Sequence, residues 1–216
     1  MMVITACSSD GAADQPAKQA QPSASATSAA LATRLRAALL PAPKGMRVAY
    51  GPEVGAFGTL DSIKQGLEAI RQTKLERPEC AGATELDPAK PEVASAPAAV
   101  IAFASARGSI SQAVVALPPA EFPGPLPGQC AAYKAVIKGT EVTYRTRDLA
   151  MPRQGDESRA YLTTASGADQ NAQIGSVVIR RGNVVMSLMV VGQEVKRAGL
   201  LELGRLADQN LSRVAT

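Results

Sequence analysis

Leucines recur at 31, 35 and 39, one helical face, and the spacing predicts a helix over 27–40 that Pro41 stops. Ile63, Leu67 and Ile70 share a face in the same way and predict a second helix over 61–75, with Asp61 or Ser62 as cap. Residues 81–97 carry three prolines and read as a loop. The period then changes. AAVIAFASA (98–106) and SISQAVVAL (109–117) read as neighbouring strands turned by Arg107-Gly108. The proline-rich run 118–128 reads as a rigid loop, and 133–148 as a mostly extended stretch whose first part could form a short helix. Residues 158–164 alternate weakly. The strongest hairpin joins 173–181 to 184–191 through Gly182-Asn183, and the nearly all-apolar 184–191 predicts a central strand. Leu200, Leu203, Ala207, Leu211 and Val214 mark a closing helix over 194–214.

Strands that come in hairpins, with helices at the two ends, predict an α+β domain rather than a βαβ repeat. The expected architecture is an antiparallel sheet of about five to six strands, with the N-terminal helices and the C-terminal helix packed on one face. The length of 216 residues suits one such domain plus a tail, and 46% apolar content is enough for its core. A net charge of +4, spread along the chain without a basic block, gives no nucleic-acid footprint. No apolar run reaches 18 residues, the length of a membrane-spanning helix.

The first residues have their own pattern. Ile4-Thr5-Ala6-Cys7 resembles the lipobox of bacterial lipoproteins, in which the cysteine is lipidated and becomes the new N-terminus. Only six residues precede Cys7 and none is basic, so the expectation is that translation starts upstream and residues 1–7 are the remnant of a lipoprotein signal peptide. The other reading is a free cysteine in a frayed terminus. Residues 8–29 hold no large apolar side chain until the helix begins, and read as a disordered tether to a single domain over 30–216. With Cys7 carrying lipid, the odd count of three cysteines leaves Cys80 and Cys130 as a pair. Outside the cytoplasm a disulfide between them is expected, closing a loop for which chain entropy predicts on the order of 4 kcal/mol. The alternative is two unpaired buried thiols. A zinc site has too few ligands.

Catalytic chemistry is hard to find. There is no His, which removes the usual general base and the commonest metal ligand. No Trp is present and only 3% of residues are aromatic, too few for a sugar or single-strand platform. No SxxK, GxSxG, GxGxxG or phosphate-cradling loop occurs. The reading is of no catalytic residue, no cofactor and no metal site. Asp156 and Glu157 read as a solvated turn, or as a contact for a cation or basic partner. Tyr144, Arg145, Arg147, Arg159 and Tyr161 are the candidate ligand-binding set, for an anion. Their other reading is the wet face of edge strands.

Several stretches carry a resemblance: LLPAPKG at the first helix end, Cys80 in PEC, Cys130 in LPGQCAAY, PRQGDESRAY, and VVIRRGNVVMSLMVVG. Together with the lipobox and tether, they resemble a group of actinobacterial, mainly mycobacterial, sensor-domain lipoproteins of the cell envelope. These are similar in turn to the extracellular sensor domain of a mycobacterial Ser/Thr protein kinase. The resemblance spans roughly residue 30 to the end. It implies an extracytoplasmic domain held at the cell membrane by lipid, with a ligand cleft between sheet and helices and no established chemistry. The kinase domain carries two disulfides, whereas this chain can form one. The expected function is a non-catalytic ligand-binding or sensor module, its partner an unknown small molecule, lipid or envelope protein. Alternatives are a carrier of an apolar envelope lipid, with 184–191 lining its cavity, and a structural member of an envelope complex. With an upstream signal restored, Cys7→Ala should abolish metabolic labelling by an acyl probe and release the protein from membranes; labelling that persists rejects the lipobox.

Overall fold

The computed structural model describes residues 24–168 and 171–215. Cys7 and residues 8–23 of the expected tether lie outside them. Four helices are described: α1 (Ala24–Leu35), α2 (Asp61–Arg71), the short α3 (Pro91–Ser95) and α4 (Arg197–Leu211). The strands are β1 (Arg47–Ala56), β2 (Lys74–Leu75), β3 (Pro97–Ser105), β4 (Gly108–Ala116), β5 (Ala132–Ile137), β6 (Thr140–Asp148), β7 (Glu157–Gly167), β8 (Asn171–Arg181) and β9 (Val184–Gly192). They form one antiparallel sheet in the order β1-β3-β4-β9-β8-β7-β6-β5-β2. A meander runs from β5 to β9, the β3–β4 hairpin docks on β9, and β1 and β2 close the two edges. Among the described residues no helix is long and apolar enough to cross a membrane.

The sheet therefore has nine strands, more than the five or six expected. Three local features account for the difference. Strand β1 carries Gly51-Pro52, which breaks its register between Val48 and Glu53. A proline has no donor for a central ladder, but at the sheet edge its missing N–H leaves no partner unpaired. Strand β2 is two residues long and continues what the periodicity placed in the second helix, which ends at Arg71. The extended stretch 133–148 folds back on itself at Lys138-Gly139, both with positive φ (49° and 84°), as a two-residue hairpin turn requires. Helix boundaries also move: α1 begins at Ala24, inside the residues read as tether, and α4 spans Arg197–Leu211 rather than 194–214. The first strand hairpin turns at Ala106-Arg107, because Gly108 already pairs with Ser105.

Strand alternation divides the core in two. One face carries Ile101, Phe103, Ile110, Val114, Val177, Ile179, Met186 and Leu188 and is covered by α1 and α4. Gly175 lets α4 approach: a Cβ there would stand 2.7 Å from Leu200 Cδ2. Arg181 of β8 clamps Asp208 of α4 with two bonds of 2.6 and 2.8 Å. Gln112, 1% exposed, accepts from the Leu40 N–H at 2.7 Å and secures the segment after α1.

The second face is covered differently, and here the expectation of helices on one face fails. Its apolar residues, Val100, Ala113, Val115, Val178 and Val185, meet Phe57, Leu60, Leu86 and Val93 from the chain between β1 and β3. That cover is α2, α3 and irregular segments, with the proline-rich loop before β5 beside it. The Cys80–Cys130 disulfide joins the two covering segments, its Cα atoms 5.3 Å apart. Arg77 reinforces the link by donating to the Gln129 carbonyl at 3.0 Å. Replacing both cysteines by serine should lower the unfolding free energy by about 2–5 kcal/mol. Urea titration measures the loss, and hydrogen exchange should quicken over 78–96 and 118–130 while β8 and β9 stay protected. Unchanged exchange in the covering segments would contradict the role given to this bond.

Candidate functional site

The segments over the second face do not seal it. Between them and the sheet lies a cleft of two lobes that share Ile70, Gly82, Glu85 and Met189. One lobe, about 230 Å³, is walled by Ile63, Leu67 and Ile70 of α2 and by Tyr50, with Ser111, Ala113 and Ser187 as its floor. The apolar stripe of α2 thus lines a cavity instead of filling a core, and none of the helix's residues is fully buried. Its position is set from β1: Glu53 accepts from the Ser62 N–H and hydroxyl at 3.2 and 2.7 Å. A carboxylate at a helix N-terminus satisfies orphan donors and faces the positive end of the dipole. Neither Asp61 nor Ser62 serves as the cap.

The other lobe, about 290 Å³, runs under the disulfide and is bounded by Tyr133, Tyr144, Thr146, Thr163 and Ile174. The two tyrosine rings stack with centroids 5.1 Å apart and planes 13° from parallel. They are direct cross-strand partners on β5 and β6, the arrangement in which aromatic side chains meet. Burial pushes both hydroxyls up from their ordinary value.

The cleft floor is polar where the opposite face is apolar. Ser111, Ser187, Ser176, Thr163 and Thr146 place a strip of hydroxyls across five adjacent strands, β4, β9, β8, β7 and β6. Some are satisfied internally, since Thr146 and Thr163 bond each other at 2.9 Å and Ser176 meets Thr84 at 3.2 Å. Ser111 and Ser187 line the α2 lobe. Glu85 stands where the lobes meet. Burial raises its carboxyl from the ordinary 4.5 to about 7, and a hydrogen bond from Ser176 pulls the other way. Tyr50 senses it: burial first, then the Glu53 and Glu85 charges, raise that hydroxyl.

The five candidate ligand residues do not converge. Tyr144 is in the cleft. Arg145 and Arg147 point from β6 to the opposite side of the sheet, where they are exposed, so they belong to the wet face of a strand near the sheet edge. Arg159 lies over the Phe122 ring, 4.8 Å from its centroid, and donates to the Pro123 carbonyl. It fastens the proline-rich loop. Tyr161 is 2% exposed beneath that loop. Asp156 and Glu157 are engaged by Arg180, and Asp156 also accepts from the Gly182 N–H at 2.7 Å, which fixes the β8–β9 turn. The sequence reading missed Glu85, inside a stretch read as loop, and Ser187, inside an apolar strand. A serine in VVMSLMVVG was the one local signal.

No protein-family model matches the chain, and no curated protein matches it in sequence. Two solved structures align with it. The extracellular domain of PknH from Mycobacterium tuberculosis aligns with a TM-score of 0.56 at 16% identity, over 85% of this chain and 95% of that domain. An uncharacterised Mycobacterium smegmatis protein, an Rv0999 ortholog, aligns with a TM-score of 0.46 at 12% identity, over 86% of this chain and 95% of that one. The chain has the fold of the extracellular domain of a mycobacterial kinase, in keeping with the sensor-domain resemblance of its sequence.

Proposed function

We propose that this chain is a non-catalytic, extracytoplasmic binding module, anchored through lipid on Cys7, that takes a small ligand into the two-lobed cleft. The observation that carries the reading is the cleft itself: a half-open space over the centre of the sheet, floored by hydroxyls and walled by an unburied helix stripe and a tyrosine pair. Sheet centres are normally filled with apolar side chains, as the other face is. The shared fold with the PknH extracellular domain and the disulfide both support a location outside the cytoplasm. The absence of His from the chain and the isolation of Glu85 from any nucleophile–base pair support a binding role over catalysis.

Lobes of about 230 and 290 Å³ each fall below the range of ligand pockets, about 300 to 1,000 Å³, and reach it only together. This favours a small molecule over a long-chain envelope lipid, whose carrier would need a larger and drier cavity. A fragment screen by NMR on the folded domain tests the reading. Hits should perturb Tyr144, Ile174 and Met189, and filling the α2 lobe with Ser187→Leu should remove those of that lobe. Hits that gather instead in the groove between α1 and α4, or none at all, would reject the cleft as the binding site.

A further inference from the structure

The charge inventory of the cleft is one-sided. Among the described residues, Glu85 is the one ionisable group of either sign, tyrosines apart, lining either lobe, and no Lys or Arg does so. The nearby cations are held elsewhere, Arg77 on the Gln129 carbonyl and Arg159 on the Pro123 carbonyl and Phe122 ring. Behind the loop that carries Glu85, a third recess sets Glu79, Asp87 and Glu121 against the lone Lys90. A carboxylate half-withdrawn from water with no ion-pair partner among the described residues is costly unless a proton or a cation joins it. The surrounding hydroxyls accept hydrogen bonds from an ammonium group, and the stacked Tyr133–Tyr144 rings border the same lobe as an aromatic surface.

We propose that the cleft selects a small organic cation, an amine whose ammonium group docks on Glu85 and whose apolar body lies against Met189, Ile70 and the tyrosine pair. This rests on the cleft being the ligand site and adds the chemical class of the ligand. An anion would meet the Glu85 charge and the acidic recess behind it; a neutral molecule would leave the carboxylate unpaired.

The sign of the pH dependence follows. With its carboxyl raised to about 7 in the free protein, Glu85 must ionise to hold the cation, so binding releases a proton. The titratable groups facing it are Tyr50 from β1, with Glu53 behind it, and Tyr133 and Tyr144 from β5 and β6. Glu79, Asp87 and Lys90 lie on its own segment and Glu121 on the proline-rich loop. The tyrosine hydroxyls are raised and stay protonated between pH 6 and 8.

Octylamine, octanol and octanoate, equal in chain length, separate the outcomes by titration calorimetry with NMR mapping. At pH 8 octylamine should bind at least about tenfold more tightly than the other two, with perturbations at Tyr144 and Met189. Its affinity should fall by about tenfold at pH 6, where Glu85 is mostly protonated. Glu85→Gln keeps the shape, removes a buried charge, and should erase both the preference and the pH dependence, with Glu194→Gln, an exposed carboxylate outside both lobes, as a folded control. Octanol or octanoate binding the cleft as tightly as octylamine, or an unchanged preference in E85Q, overturns the cation assignment while leaving the cleft as a site. No probe perturbing the cleft overturns both.

Discussion

The bond between Cys80 and Cys130 decides what the second face of the sheet becomes. On the first face, α1 and α4 deliver apolar stripes that pack directly on the strands. The second face receives short helices and proline-rich loops, with too few large apolar side chains to cover it. Such segments hold little burial energy of their own, and without a tie they would sample many arrangements. The disulfide joins the segment after α2 to the segment before β5 at the sheet edge. It fixes their distance from the sheet without requiring side chains to fill the space between. A covalent restraint therefore permits a cleft where hydrophobic packing alone would favour collapse.

The two faces of one strand show the division. In β9, Val184, Met186 and Leu188 enter the helix-covered core, while Ser187 and Met189 turn to the cleft. In β4, Gln112 belongs to the packed face, yet its amide is satisfied by the backbone after α1 and behaves as a structural bond. Polar groups on the packed face are thus consumed by the fold. On the cleft face Ser111 and Ser187 line open space instead. Buried polarity has two meanings in this molecule, and hydrogen-bond accounting separates them.

Much of this architecture was legible. The β8–β9 hairpin, the central apolar strand, the α2 stripe and the closing helix all rest on strong local periodicity, and each is present. What escaped depends on distance along the chain. Strand β1 is disguised by Pro52, acceptable because the strand is at the edge, and edge position is a tertiary fact. The turn at Lys138-Gly139 lacks the Asn-Gly or Asp-Gly signal. Glu85 is an ordinary loop residue until the disulfide lays its segment over the sheet. The arginines of β6 and β7 looked like a cluster because they are close in sequence. Alternation sends Arg145 and Arg147 to one side and Arg159 to the other, so nearness in sequence was the wrong guide.

At 16% identity, what this chain shares with the kinase domain is the fold. A shared fold can place a cleft, here on the loosely covered face. It does not fix what the ligand is. That depends on single side chains projecting into the gap, and those vary freely while the strands beneath them keep their register. In this chain the gap holds one carboxylate, three tyrosines and a strip of hydroxyls, and the arginines that first suggested an anion site face elsewhere. The charge that lines the cleft is therefore opposite in sign to the chain's own net charge of +4. A global excess of positive charge says little about a cleft whose local field is set by one half-buried group in its wall.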